Sequence, residues 1–293
     1  MDPASLLQYL ISGLTVGATY GLCAMGFTII FNTTGIINFA QGEFVMLGGM
    51  FSVFCTKWTG APVWLALPLA VAAATVVGGL MERLTIRPVK NPTIINLIII
   101  TIGVSIFIRG LAMLVWGKDT FALPPFTGDR PIDVFGASMQ PQSIWVLAIT
   151  LALLAGMKLF FSRSIHGKGM LACSYDRKAA YLVGVGVERM VWASFMLSAA
   201  VGAVGGAILA PITLTSYDVG TLLGLKGFAA CILGGLGNPF GAAAGGLIIG
   251  AVESLGAGYV SSAYKDAFAF VILLLLLFMK PSGLFGRREI KRV

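Results

Sequence analysis

Six stretches of this chain, 3–42, 58–81, 91–108, 134–157, 190–217 and 227–252, contain no Asp, Glu, Lys or Arg. Each has room for the ~20 apolar residues that a helix needs to cross a hydrocarbon core of about 30 Å. Only 11% of the residues are charged, against roughly 25% in soluble domains. The apolar runs are continuous and do not alternate in ~10-residue segments, which argues for helices and against a barrel. The fold class expected is an all-α polytopic membrane protein. The start, MDPAS, lacks a basic region and the run after it exceeds a signal peptide's apolar segment, so it is expected to remain as the first span.

The net charge of +8 is explained by where the charge lies. Fourteen of the twenty Lys and Arg residues fall in 83–90, 158–189 and 280–292. Such clustering is what the positive-inside rule produces, so it reports orientation and argues against a nucleic-acid partner. The expectation is a multi-pass protein of a bacterial inner membrane, with basic loops and C-terminus cytoplasmic. Cys23, Cys55, Cys173 and Cys231 follow neither a metal spacing nor a disulfide framework and are read as packing residues.

Taken in order, the spans are expected at 6–31, 63–81, 93–116, 143–161, 190–212, 242–258 and 263–279, with shorter apolar segments after 44 and after 220. Residues 32–44, NTTGIINFAQGEF, are polar and followed by a run of thirteen uncharged residues. Thirteen helical residues reach ~20 Å, too short to cross, so a broken or re-entrant helix is predicted. Asn38, Gln41 and Glu43 there, with Thr213, Thr215 and Ser216 in the second polar patch at 213–220, are candidates for the translocation pathway, because unsatisfied polar groups do not face lipid. Each patch precedes a short glycine-bearing segment, the pattern that marks transporter sites built on repeated halves. Eight or nine spans result, organised as one permease domain: a first half 1–157, a loop 158–189, a second half 190–279 and a tail 280–293. The connector 82–92 is expected to be non-helical because of its prolines. Arg109 is read as snorkelling to headgroups from the outer end of its span.

Gly13, Gly17 and Gly21 recur every fourth residue and should form a seam for close helix packing, as should Gly202 and Gly206 near the middle of 190–212. Enzyme chemistry finds no support. There is no G-x-x-x-x-G-K-[ST] loop and no H-E-x-x-H, and His166 stands alone, so no metal or cofactor is expected on this chain. Glu43 and Glu253 are the only acids close to spans, each at the edge of a run, too few to support ion coupling well. A channel or a secondary carrier acting alone stays open at this level.

The longest polar stretch between spans, GKGMLACSYDRKAAYLVGVGVER at 167–189, reads as a loop with a short helix from Asp176 to Leu182. A loop of this length in a compact chain is usually functional. The segments GIINFAQGEFVMLGG, DRKAAYLVGV, ILGGLGNPFGAAAGGLIIGAVE and KPSGLFG resemble LivH-type permeases of branched-chain amino acid ABC transporters over nearly the whole chain. That resemblance implies an importer-type helical fold, pairing with a LivM-type second permease, two ATPase subunits that carry the ATP and Mg, and a periplasmic substrate-binding protein. It also implies that Asp176, Arg177, Lys178, Ala179, Ala180 and Gly184 form the ATPase-coupling loop, similar to the EAA loop although Lys178 stands where Glu is usual. Related permeases serve urea, short amides and other amino acids, so the resemblance leaves the substrate open.

Overall fold

The computed structural model describes residues 3–90, 93–280 and 282–286; the basic residues 287–293, and with them most of the expected tail 280–293, lie outside it. Helices occur in the order α1 (Pro3–Thr34), α2 (Gln41–Thr59), α3 (Val63–Met81), α4 (Ile94–Trp116), α5 (Pro141–Arg163), α6 (Ile165–Tyr175), α7 (Arg177–Leu182), α8 (Val187–Leu209), α9 (Val219–Gly234), α10 (Pro239–Tyr259) and α11 (Lys265–Met279). Seven segments among the described residues are long and apolar enough to cross a membrane; α2 and α9 are not among them. The chain is thus a helical, multi-pass membrane protein.

Burial sorts the helices into two shells. In their most apolar windows α1 is 83% buried and α8 61%, whereas α4 and α5 are each 17% buried and α11 6%. The outer helices expose Ile95, Leu114, Leu151 and Leu274, side chains that suit lipid. At the centre α1 lies along α10. A Cβ on Gly13, Gly17 or Gly21 would sit 2.6, 2.7 or 2.8 Å from the carbonyl oxygens of Gly250, Gly246 and Ala243, so the two backbones touch. Close approach of this kind maximises dispersion where lipid removes the hydrophobic driving force between helices. Gly206 meets Val45 and Gly49 of α2, and Gly202 meets Gln41 and Phe44.

The helix ends follow local chemistry. Thr93, Ser164, Asp176 and Asn238 accept backbone N–H groups at the starts of α4, α6, α7 and α10, and Gly60 closes α2 in a left-handed conformation at φ 63°. Two expectations need correction. Residues 82–86 of the connector prolong α3 as one π-helical turn and only then does the chain break before Pro88. The stretch 167–189 is mostly helical, because the Ser164 hydroxyl accepts the Gly167 N–H and starts α6, which runs to Tyr175. A small hairpin, β1 (Ile132–Val134) with β2 (Ala137–Met139), sits in the loop between α4 and α5. Its two-residue turn puts Phe135 and Gly136 at φ 52° and 83°, a primed turn that suits the strand twist.

Candidate functional site

The helix α2 begins deep inside the bundle. Ser198 is the central residue of the 23-residue α8, and its hydroxyl lies 2.6 Å from Gln41 Oε1 and 2.8 Å from the Gly26 carbonyl of α1. Gln41 Nε2 donates to the Ser198 carbonyl at 3.3 Å. Ser105 is the central residue of the 23-residue α4, and its hydroxyl donates to Glu43 Oε1 at 2.8 Å. Gln41 and Glu43 are therefore level with the midpoints of two full-length helices. The non-helical stretch 35–40, bends followed by a turn, connects them back to the end of α1.

The second short helix starts at the same level from another direction. A Cβ on Gly220, in the first turn of α9, would lie 2.7 Å from Glu43 Oε2 and 2.7 Å from the Gly42 carbonyl. The 19-residue α2 and the 16-residue α9 thus meet N-terminus to N-terminus, with glycines where they touch. Arg109 and Asp218 are close enough to act on the charge of Glu43. Arg109 donates to Thr221 on α9, on the exposed side of the junction. Ser216 donates to Asp218 at 2.6 Å.

This junction leaves acceptors and donors free. Among the described residues, Glu43 is 1% exposed and its Oε2 has no partner; Asn38 is fully buried, its Oδ1 accepts the Ala40 N–H, and its Nδ2 has none. Unpaired buried groups of this kind cost free energy and need an explanation in a bound ligand, a water or a moving part. Thr213 and Thr215 lie away from the junction. The Thr213 hydroxyl lies 3.4 Å from the Leu209 carbonyl at the end of α8, and Thr215 exchanges backbone hydrogen bonds of 2.8 Å with Phe121 in the α4–α5 loop.

At one end of the bundle α7 hooks onto α1. Asp176 Oδ1 accepts the N–H groups of Lys178 and Ala179 at 2.8 and 3.1 Å, which fixes the start of α7. Arg177 donates through Nε and Nη2 to the Thr33 carbonyl at 2.9 and 2.6 Å, a cation on the open end of α1. Ala180 is buried, Gly184 turns the chain at φ 88°, and Tyr181, Leu182 and Val183 are left 72%, 83% and 78% exposed. A run of three exposed apolar side chains outside the spans needs a partner surface.

Comparison with known proteins decides the family. The profile described as branched-chain amino acid transport system / permease component matches residues 9–277. The chain belongs to this permease family. It is 34% identical over 301 residues to the high-affinity branched-chain amino acid transport system permease protein LivH of Escherichia coli K12, covering 98% of this chain and 97% of LivH. Similarity to the permease protein BraD of Pseudomonas aeruginosa is also 34%, over 98% of both chains. A guanosine ABC transporter permease protein, NupQ of Bacillus subtilis, is 25% identical over 99% of this chain and 96% of its own. A member of this permease family is a transport component and not an enzyme.

One feature escaped the sequence reading. Lys226 on α9 lies 2.8 Å from Glu253 on α10 and 2.6 Å from Asp266 on α11, and Tyr20 of α1 donates to Glu253. Lys226 and Glu253 are the two residues that bound the charge-free run 227–252. The turn at 235–238 folds that run into the antiparallel pair α9–α10, which brings its ends together. Glu253 is accordingly buried, near the end of α10 where α11 begins.

Proposed function

We propose that this permease is one transmembrane subunit of an ATP-driven importer for branched-chain amino acids. A LivM-type second permease completes the pathway, two ATPase subunits carry the ATP and Mg, and a periplasmic binding protein delivers substrate to the α4–α5 loop. The observation that carries the transport reading is the midpoint junction of α2 and α9, with unpaired polar atoms on Glu43 and Asn38. Half-helix termini in the middle of a bundle supply charge and hydrogen bonds to a substrate without exposing backbone to lipid. Asn38, Gln41, Glu43 and Arg109 act on the ammonium and carboxylate of the substrate. Thr213, Thr215 and Ser216 border the outer approach. The 34% relatives favour branched-chain amino acids as substrate over the nucleosides named for the relatives near 25%.

Nine passages follow if 35–40 with α2, and 210–218 with α9, each count as one. The N-terminus is then outside, and the basic loops and C-terminus are cytoplasmic in the inner membrane. The series of a long helix, a non-helical stretch and a shorter helix recurs in α1–α2 and α8–α9, which supports two related halves. Coupling runs through Asp176–Gly184: the exposed apolar side chains of α7 take the ATPase, and Arg177 passes its movement to α1. The test is the purified four-subunit complex in vesicles, with Asp176, Arg177 and Lys178 all replaced by alanine. ATP hydrolysis persists and leucine uptake stops if the coupling assignment is right. Unchanged uptake would show that closure reaches the spans elsewhere, and uptake by this chain in vesicles without ATPase would make it a carrier.

A further inference from the structure

A cavity of about 350 Å³ opens between the starts of α1 and α11 and the end of α10. It lies at the opposite end of the bundle from α7, since α1 runs from this cavity to Thr33 beside Arg177. Its volume falls in the usual range of small-molecule sites, roughly 300–1,000 Å³. The walls include Tyr9, Ser12, Ser254 and Gly258, and two charged residues, Glu253 and Lys265, line it as well.

Glu253 is 1% exposed and its charge is only partly used. Its Oε1 takes Lys226 at 2.8 Å, Tyr20 at 3.3 Å and Lys265 at 3.4 Å, while Oε2 is buried without a partner among the described residues. A buried carboxylate oxygen with spare lone pairs calls for a donor. Lys265 is half exposed beside it and free to turn toward an incoming anion. Two lysines and two acids, Glu253 and Asp266, balance here, so a lone cation or anion would leave net charge in a poorly solvated place. A ligand with both charges would not.

We propose that this cavity is a second ligand site, for small zwitterions that carry a primary ammonium and a carboxylate. The ammonium donates to Glu253 Oε2 and the carboxylate pairs with Lys265. The hydroxyls of Ser12 and Ser254 add hydrogen bonds, and the Tyr9 ring forms an apolar wall for a side chain. Because Lys226 joins Glu253 to α9, occupancy of this site bears on the same helix that meets Glu43.

The experiment is equilibrium binding of radiolabelled leucine to the purified permease pair in nanodiscs, without binding protein. Competitors are 3-methylbutylamine, which has only the amine, and 4-methylpentanoate, which has only the carboxylate. Saturable leucine binding is expected, with neither competitor displacing it. Lys265→Gln weakens it by about tenfold or more, the scale of one charge-assisted contact. Ser12→Phe, which fills the cavity from an exposed position, abolishes the component of binding that Lys265→Gln weakens, while Gly103→Ala, in open space on α4, leaves all binding unchanged. Absence of saturable binding overturns the proposal. So does binding that ignores Lys265→Gln and Ser12→Phe but is lost with Glu43→Gln, because leucine would then sit at the midpoint junction alone. Displacement by either half-ligand would remove the zwitterion requirement and sink it equally.

Discussion

Lys226 and Glu253 form an ion pair of 2.8 Å with 3% and 1% of their side chains exposed, buried near one end of a bundle whose outer helices face lipid. Desolvating two charges costs several kcal/mol each, and only a dense local network offsets that. Tyr20 and Asp266 supply it, so helices α1, α9, α10 and α11 are tied at one point. The α11 helix is otherwise barely buried, and this cluster is its firmest polar link to the core.

Removing one member of the pair should therefore hurt more than removing both. Lys226→Met leaves Glu253 charged and buried, a loss of about 3–5 kcal/mol in comparable buried pairs. Lys226→Met with Glu253→Gln should recover more than half of that loss, since Asp266 is half exposed and can be solvated. Thermal unfolding of the three purified proteins in one detergent measures it. A double variant no better than the single would show that packing, and not charge, dominates the cluster.

The α1–α10 seam makes a sharper distinction between glycines. Gly17→Val would push a side chain against the Gly246 carbonyl and the Leu247 Cα, 2.7 and 3.0 Å from its Cβ. Gly103 on α4 has open space around its Cβ position. Gly103→Ala should stabilise by up to ~1 kcal/mol through helix propensity, while Gly17→Val should lower the yield of folded protein severely. Fluorescence-detected size exclusion of the two variants reads both signs. Equal tolerance at both positions would mean that the seam can open without cost.

The spans were legible because charge-free runs of ~20 residues have few other uses. The midpoint junction was legible only in kind. Gln41 and Glu43 could be assigned to a non-lipid environment, but their depth depends on Ser198 and Ser105, 157 and 62 positions away. Arg109 could be placed inside the span at 93–116, but not beside α9, whose Thr221 is 112 positions away. Lys226 and Glu253 could not be paired from the sequence, since they meet only because the run between them folds into α9 and α10. The loop 167–189 looked irregular because of its glycines. Gly167 packs against the Phe160 carbonyl and is compatible with the helix that Ser164 caps.

Thiol chemistry can map the α6–α7 region. Burial pushes the Cys173 thiol up, an effect that Arg177 nearby only partly opposes. A raised value means less thiolate near neutral pH, and the thiolate is the reactive form. Maleimide at pH 7.5 should therefore modify Cys173 slowly, with the rate climbing as pH rises. A cysteine introduced at exposed Lys178 should react fast and become protected when the ATPase subunits bind. Site-resolved mass spectrometry separates these two from Cys23, Cys55 and Cys231. Fast labelling of Cys173, or no protection at position 178, would contradict the packing of α6 or the docking of α7, respectively.

Glu43 offers the most direct test of the pathway, because glutamine can keep its shape while removing its charge. The Ser105 hydroxyl can still donate to a glutamine oxygen, so a purely structural Glu43 should tolerate the change with little loss. A Glu43 that holds the substrate ammonium should not. A charge-assisted hydrogen bond is worth about 1.5–3 kcal/mol, so Glu43→Gln should cut leucine uptake by roughly tenfold or more. The ATPase rate of the complex without substrate should stay near the unsubstituted level, since α7 and its hold on Thr33 are untouched. The loss should appear with both binding protein and ATP saturating, which separates it from weaker docking. Uptake within twofold of the unsubstituted complex would assign Glu43 to the join between α2 and α9 and move the ammonium site elsewhere.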